Sequence, residues 1–478
     1  MSVPIGPARR HLNPRPGAVA PPDGRRATRP RRRKRAPLCL RPVTSPSPVP
    51  VSAWGRIGVL RPLRVRDFAL LWTGMAVSMI GDGIYYVAIA WQVIDLTKDP
   101  AALGWVGVAW SLPQVLFVLA SGVMSDRLDR RRVMIAGDLI RCGAIGAIGA
   151  ASLLGVLTLP LLVALVVVYG TGQAVFQPAF YAIVPTIVPE ELLVEANSLG
   201  QFVRPFATTL VGPLVGGVLV GVAGPGTAFL VDAVSFLVSA AMVAAIRTRG
   251  RPRAGETVGS MWEDARQGLR YIRANRWLLI GMVGGTLSLL CTWGPWEALV
   301  PFLVRQELDG GPFALGLVFG AGGVGSVAAA VAIGQRARLP RRAITTIYVA
   351  WAVGMFGTAG FGVVGSVWQA MLVALVTEGA ITVLVIFWFT LMQRLVPDRL
   401  LGRVTSLDWM ISITGVPISF AIVGPAAAAI GVRETLVVAG LLGGATTLAV
   451  MFVPGARDPE RDGSIERIRV KGASVAGV

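Results

Sequence analysis

Charge is scarce in this chain. Asp, Glu, Lys and Arg make up 15% of its 478 residues, where ordinary soluble proteins carry about 25%, and that shortage excludes a water-exposed globular surface. Histidine is nearly absent as well. The single one, His11, lies in the N-terminal arm, so the apolar part of the chain has neither a histidine metal centre nor an imidazole proton relay. Three cysteines, Cys39, Cys142 and Cys291, stand far apart without metal-ligand spacing, and no disulfide framework is indicated. No Gly-Lys dipeptide occurs, which removes the GxxxxGK[ST] phosphate cradle and with it direct use of ATP by this chain. HExxH and GxSxG are missing too, so neither enzyme signature is available.

What the chain has instead is apolar length. Hydrophobic residues make up 54%, and from Phe68 onward they fall in runs of about 20 residues, each able to cross a hydrocarbon layer of about 30 Å as a helix. The runs lie near 68–94, 101–123, 133–156, 160–184, 197–222, 226–246, 277–304, 312–335, 342–364, 367–395, 407–430 and 434–454. They predict an all-α multi-pass membrane protein of about 12 transmembrane helices. The net charge of +19 is spread over the N-terminal arm and the connectors rather than one folded basic domain, so anionic lipid, not nucleic acid, is the expected counter-charge. Connectors on one side hold Arg130 to Arg132, Arg336, Arg338, Arg341, Arg342, Arg399 and Arg403, against Lys98, Arg305 and Arg433 on the other. The positive-inside bias then puts both termini in the cytoplasm of a cell with this chain in its plasma membrane.

The organisation reads as a basic, disordered arm (1–62), an N-terminal six-helix half (63–247), an amphipathic linker (248–275), a C-terminal six-helix half (276–454) and a polar tail (455–478). The halves echo each other. Ala102-Leu103-Gly104 returns as Ala314-Leu315-Gly316, Val188-Pro189-Glu190 as Val396-Pro397-Asp398, and Gly212-Pro213 as Gly424-Pro425, at nearly one offset. In the linker Trp262, Ala265, Leu269 and Ile272 recur at helical spacing. That helix either couples the halves mechanically or only tethers them.

Between the second and third runs stands GVMSDRLDRRRVM, Gly122 to Met134. Gly-x-x-x-Asp-Arg-x-x-Arg-Arg at this place resembles the signature loop of the major facilitator superfamily of secondary transporters. Asp129 replaces the usual glycine of that loop, a form similar to the enterobactin-exporter and macrolide-efflux branch, and Asp tolerates the positive φ such a turn needs. The resemblance implies two pseudo-symmetric six-helix halves in the major facilitator fold. It also implies export of a hydrophobic or amphipathic small molecule, such as an antibiotic or siderophore, by a functional monomer driven by proton entry, without metal or other cofactor. An importer of a small metabolite and a non-transporting receptor share the fold-level features and remain as alternatives. For the loop the resemblance implies a conformational latch of Gly122, Asp126, Arg127, Arg130 and Arg131. Asp138 and Arg141, three apart on one helix face, read as an ion pair locking against its arginines. Gly212, Pro213, Gly216 and Gly217 resemble the antiporter-associated Gly-Pro-x-x-Gly-Gly motif, with Thr208 where its preceding glycine would stand, and predict a bent, tightly packed helix.

Ionisable residues inside a span are costly and therefore candidates for function. Asp82, between Gly81 and Gly83, is the first proton-coupling candidate, with a packing role as its rival reading; Glu378 is the second. Glu297, beside Trp293 and Trp296, reads as interfacial. Tyr85, Trp110, Gln173, Asp232 and Trp388 are the candidates for a substrate cavity.

Overall fold

Length and apolarity set the number of crossings. The computed structural model describes residues 58–127, 129–247, 261–336 and 339–466, and every regular element among them is helical. Among the described residues ten helices are long and apolar enough to cross a membrane; one of these, Val203–Ala244, doubles back, and the shorter apolar stretch Ala101–Phe117 adds another, which makes twelve crossings there. The doubling back is at Gly224, whose φ of 79° and ψ of 166° suit a residue without a side chain. Gly216, before it, rests on Ile84, whereas Asp232 and Ser239, after it, stand against Gly81 and Gly74. The first arm therefore runs with the helix Arg66–Leu96 and the second against it.

We number the helices α1 (Arg66–Leu96), α2 (Ala101–Arg127), α3 (Arg130–Leu153), α4 (Leu159–Ile187), α5 (193–223), α6 (225–244), α7 (Met261–Ala274), α8 (Arg276–Glu307), α9 (Pro312–Arg336), α10 (Ala343–Val363), α11 (Val367–Leu395), α12 (Asp398–Thr414), α13 (Val416–Ile430), α14 (Val432–Phe452) and α15 (Asp458–Arg461). Helices α12 and α13 meet at Gly415 and together make the eleventh crossing. One end of the bundle carries Arg66, the α2–α3 turn and Phe452, and is the termini end. The α1–α2 and α13–α14 turns mark the far end.

The apolar core is shared unevenly between the ends. Toward the far end a single cluster runs through both halves, from Val87 and Phe229 to Phe302 and Phe420. Toward the termini end it divides, with one cluster around Phe68, Met134 and Ile183 in the first half and another around Trp277, Ile347 and Leu391 in the second. Backbone contact seals the far end. A Cβ at Gly104 of α2 would lie 2.6 Å from the Phe420 carbonyl oxygen of α13, and one at Gly316 of α9 would lie 2.6 Å from the Pro213 carbonyl oxygen of α5. Small residues allow helices to close to this distance.

Two expectations change at the edges, and a third holds. Residues 58–62 are not part of a featureless arm, because Gly58–Arg64 forms a 3-10 helix whose Leu60 and Leu63 pack on the first half; residues 1–57 lie outside the described residues. The segment after Pro454 is not merely polar. Ala456 and Ile465 are buried in the second half, and Glu460 of α15 accepts hydrogen bonds from Thr345 N (2.7 Å) and Thr345 Oγ1 (2.8 Å), where a carboxylate favours the start of α10. The linker helix α7 forms as its periodicity predicts, and its apolar face lies on protein: Ile272 is fully buried, Gln267 accepts from Arg403 at 2.6 Å, and the Tyr271 hydroxyl donates to the Leu395 carbonyl at 3.3 Å. Burial pushes the Tyr271 phenol above its ordinary range. The side chain of Trp262 lies outside the described residues.

Candidate functional site

The polar groups of the first half gather where α1, α3, α4 and α6 cross. Gly81 and Gly83 make this possible. A side chain at 81 would overlap Asp232 and Ser235 of α6, and a Cβ at 83 would lie 2.8 Å from the Gly212 Cα and 2.9 Å from the Thr208 carbonyl oxygen of α5. Between them Asp82 accepts a hydrogen bond from the Tyr169 hydroxyl of α4 at 2.9 Å. Tyr169 in turn stacks obliquely on Tyr85, ring centroids 4.8 Å apart. Beside them Arg141 pairs with Asp138, donates to Gln173 Oε1 at 2.9 Å, and lies between the rings of Phe176 and Phe236, 4.3 Å from each centroid. Aromatic faces on both sides compensate a desolvated guanidinium.

The second polar group lies across the interface. A cavity of about 60 Å³ between the halves is lined by Tyr85, Tyr86 and Trp110 from α1 and α2, and by Glu297, Phe319 and Phe420 from α8, α9 and α13. Glu297 is the one charged residue in that lining. It sits in a π-helical turn, Pro295–Leu299, and a π turn adds a residue to the helical repeat and so rotates the faces that follow. The side chain of Glu378 of α11 lies against Gly322 of α9. A larger, open cleft of about 430 Å³ at the termini end, between Asn275 and Ser464, is remote from these groups.

The comparisons with known proteins agree with this architecture. The sequence profile of a family described as transmembrane secretion effector matches residues 57–466. The chain belongs to this family, within the major facilitator superfamily. Macrolide efflux protein A of Streptococcus pyogenes is 25% identical over 386 residues, covering 78% of this chain and 93% of that protein. The multidrug efflux pump Tap of Mycolicibacterium fortuitum is 26% identical over 412 residues, covering 83% and 97%. Among solved structures, a bacterial homologue of the iron transporter ferroportin in its inward-facing state matches with a TM-score of 0.61 at 18% identity, over 81% of this chain and 99% of that one. The nucleoside transporter NupG matches with 0.63 at 11% identity, over 80% and 98%. At such identities the structural matches establish the fold. The protein is a multi-pass membrane transporter of the major facilitator type, not an enzyme, and its sequence relatives include efflux proteins.

Within this secretion-effector fold the residues singled out from sequence separate into groups. Tyr85 and Trp110 reach the cavity between the halves. Gln173 and Asp232 do not, because their helices turn them into the first half, where Gln173 meets Arg141 and Asp232 meets Ser235. Trp388 belongs to the core of the second half, against Trp277 (5.8 Å between centroids), and donates to Asp408 at 3.3 Å.

The signature turn also differs in detail. Asp129 does not take a positive φ; at φ −62° and ψ 112° it is the N-cap of α3 and accepts from Arg131 N at 3.0 Å, which satisfies one of the helix's free amides. Asp138 and Arg141 do not lock against the turn, being about 12 Å farther along α3 at 1.5 Å per residue. Arg130 donates instead to the Ala182 carbonyl at 2.8 Å, and Arg131 to the Ala244 carbonyl. The side chains of Gly122, Asp126 and Arg127 lie outside the described residues. In the Gly-Pro motif the glycines serve two partners: Gly212 and Gly216 abut α1, while Gly217 abuts α9. A π-helical segment, Phe206–Val211, stands just before Pro213.

Three groups were missed. Glu297 is a cavity residue rather than an interfacial one, and the prolines at 295 and 301 were the available signal that its helix departs from regular phase. Tyr169 carried no local pattern. Asp408, 8% exposed, was hidden at the margin of an apolar run.

Proposed function

We propose that this chain is a proton-driven exporter of a hydrophobic or amphipathic small molecule, working by alternating access. The cavity between the halves carries the reading: its wall is aromatic, Glu297 lines it, and Asp82 sits less than one helical turn from Tyr85. An ionised carboxylate without a partner inside the membrane costs several kcal/mol, so a site exposed alternately to two aqueous phases gains a proton on one side and releases it on the other. The arginine-rich α2–α3 turn supports a cytoplasmic termini end, by the positive-inside bias. The sealed far end then closes the outside, and the divided core opens the inside. A space of about 60 Å³ holds only about two waters, so a drug-sized substrate enters where the halves part. Names such as macrolide efflux protein and multidrug efflux pump among the relatives favour an antibiotic as cargo. The transporter acts as a monomer in the plasma membrane, with anionic lipid against its basic connectors and no metal or organic cofactor.

The test is accumulation of labelled erythromycin and of lipophilic dyes in sensitised cells expressing wild type or Asp82→Asn, with and without a protonophore. Lower accumulation in wild type, restored by both the protonophore and the substitution, is the expected result. Equal accumulation in all strains for every compound would end the drug-export reading. Lowering that survives the protonophore would remove the proton as the drive.

A further inference from the structure

Asp232 has an arrangement that substrate binding does not explain. Its side chain is fully buried and it does not line the cavity between the halves. Oδ1 accepts from the Ser235 hydroxyl at 3.2 Å, and Oδ2 has no hydrogen-bond partner. Gly81 lies directly against it, so the carboxyl rests on the turn of α1 that carries Asp82. The two carboxyls act on each other electrostatically, and Tyr85 and Tyr169 stand within range of both.

The charges around Asp232 do not balance. From α1 it faces Asp82 and Tyr85, from α3 Arg141, and from α4 Tyr169, with Asp138 already taken by Arg141. Three carboxyl groups thus share one fully buried guanidinium, which stays charged at all accessible pH. Arg204, exposed on α5, acts on Asp82 from farther away. Two like charges in one dry site cannot both remain ionised, and an orphan carboxylate oxygen is far more costly than a carboxylic acid. Arg141 is common to both, but Asp82 also has a phenol donor and the more distant Arg204, whereas Asp232 has one hydroxyl donor and a bare Oδ2.

We propose that Asp232 is a second proton-binding group, sealed inside the first six-helix half, which forms one proton store with Asp82 and exchanges with the aqueous cavity only through it. A proton arriving at Asp82 passes to Asp232, leaving Asp82 ionised, hydrogen-bonded to Tyr169 and free to take another. The store rests on the proton-coupled reading above and adds to it a capacity of more than one proton per cycle.

The test is infrared difference spectroscopy on the purified full chain in liposomes, following the protonated-carboxyl stretch and its shift in D2O. In wild type a carboxyl band shifts slowly in D2O. Asp232→Asn abolishes that band; Ser235→Ala, which keeps the carboxyl and removes its donor, moves the band without abolishing it. In Asp82→Asn the band remains and its exchange slows further. A band unchanged in Asp232→Asn would mean that Asp232 is ionised, and exchange as fast in Asp82→Asn as in wild type would mean that Asp232 has its own path to water; either overturns the proposal. Erythromycin transport indifferent to a protonophore, with the Asp232 band and its dependence on Asp82 intact, would sink the proton drive while upholding the store.

Discussion

Arg141 shows what a single residue must satisfy to sit in the middle of a membrane protein. Its charge is held by Asp138, by Gln173 and by two aromatic faces, so removing it leaves Asp138 uncompensated in a dry interior. Loss of one partner of a buried pair costs about 3–5 kcal/mol. Arg141→Gln is therefore expected to lower the thermal midpoint of the detergent-solubilised protein sharply, and Asp138→Asn in the same chain to recover part of the loss, because the carboxylate paired directly with Arg141 is then neutral too. Recovery of none of it would show that the pair is not a unit. The i,i+3 spacing made this pair legible in the sequence. The identity of its other three partners was not, since Gln173 and Phe176 lie on α4 and Phe236 on α6 and meet Arg141 only after those helices pack.

At the scale of elements, glycine decides which helices touch. Gly217 and Gly316 bring α5 and α9 into backbone contact, with a Cβ at 316 placed 2.6 Å from the Pro213 carbonyl and 3.1 Å from the Gly217 Cα. Neither atom is the end of a flexible side chain that could swing aside. Gly316→Leu is expected to cost about 1–3 kcal/mol through overpacking and to part the halves at the far end, read as new solvent accessibility of a cysteine placed at Val318, which is fully buried in the core the halves share there. No change in that accessibility would show that the contact is not what holds the far end shut. The repeat visible in the sequence located Gly316 at the start of its span, but its partner across the interface follows from the docking of one half on the other.

For the whole molecule, under the alternating access proposed above, the joined core at one end and the divided core at the other are one of two states. Alternating access requires the reverse arrangement as well. Spin labels at Thr186 and Gln393, one on each half at the termini end, are expected to approach each other under conditions that separate labels at Lys98 and Val363 at the far end. All four positions are exposed, so labelling leaves the packing intact. Distances that changed at one end alone would rule out rigid rocking of the halves. The linker helix α7 belongs to the second half in this scheme, because its buried face lies on α12 and α11 and it travels with them.

The sequence by itself determined the solvent, the number of crossings, the duplication and the family. Those properties depend on local composition and on the length of apolar runs, which bilayer thickness reads directly. Only the tertiary structure decided that Asp232 faces into the first half rather than into the cavity between the halves, and that Glu297 reaches that cavity. Each of these depends on the rotation of one helix against its neighbours. A π turn, a glycine contact or a kink such as Gly224 changes that rotation without altering the hydrophobic pattern that a sequence displays.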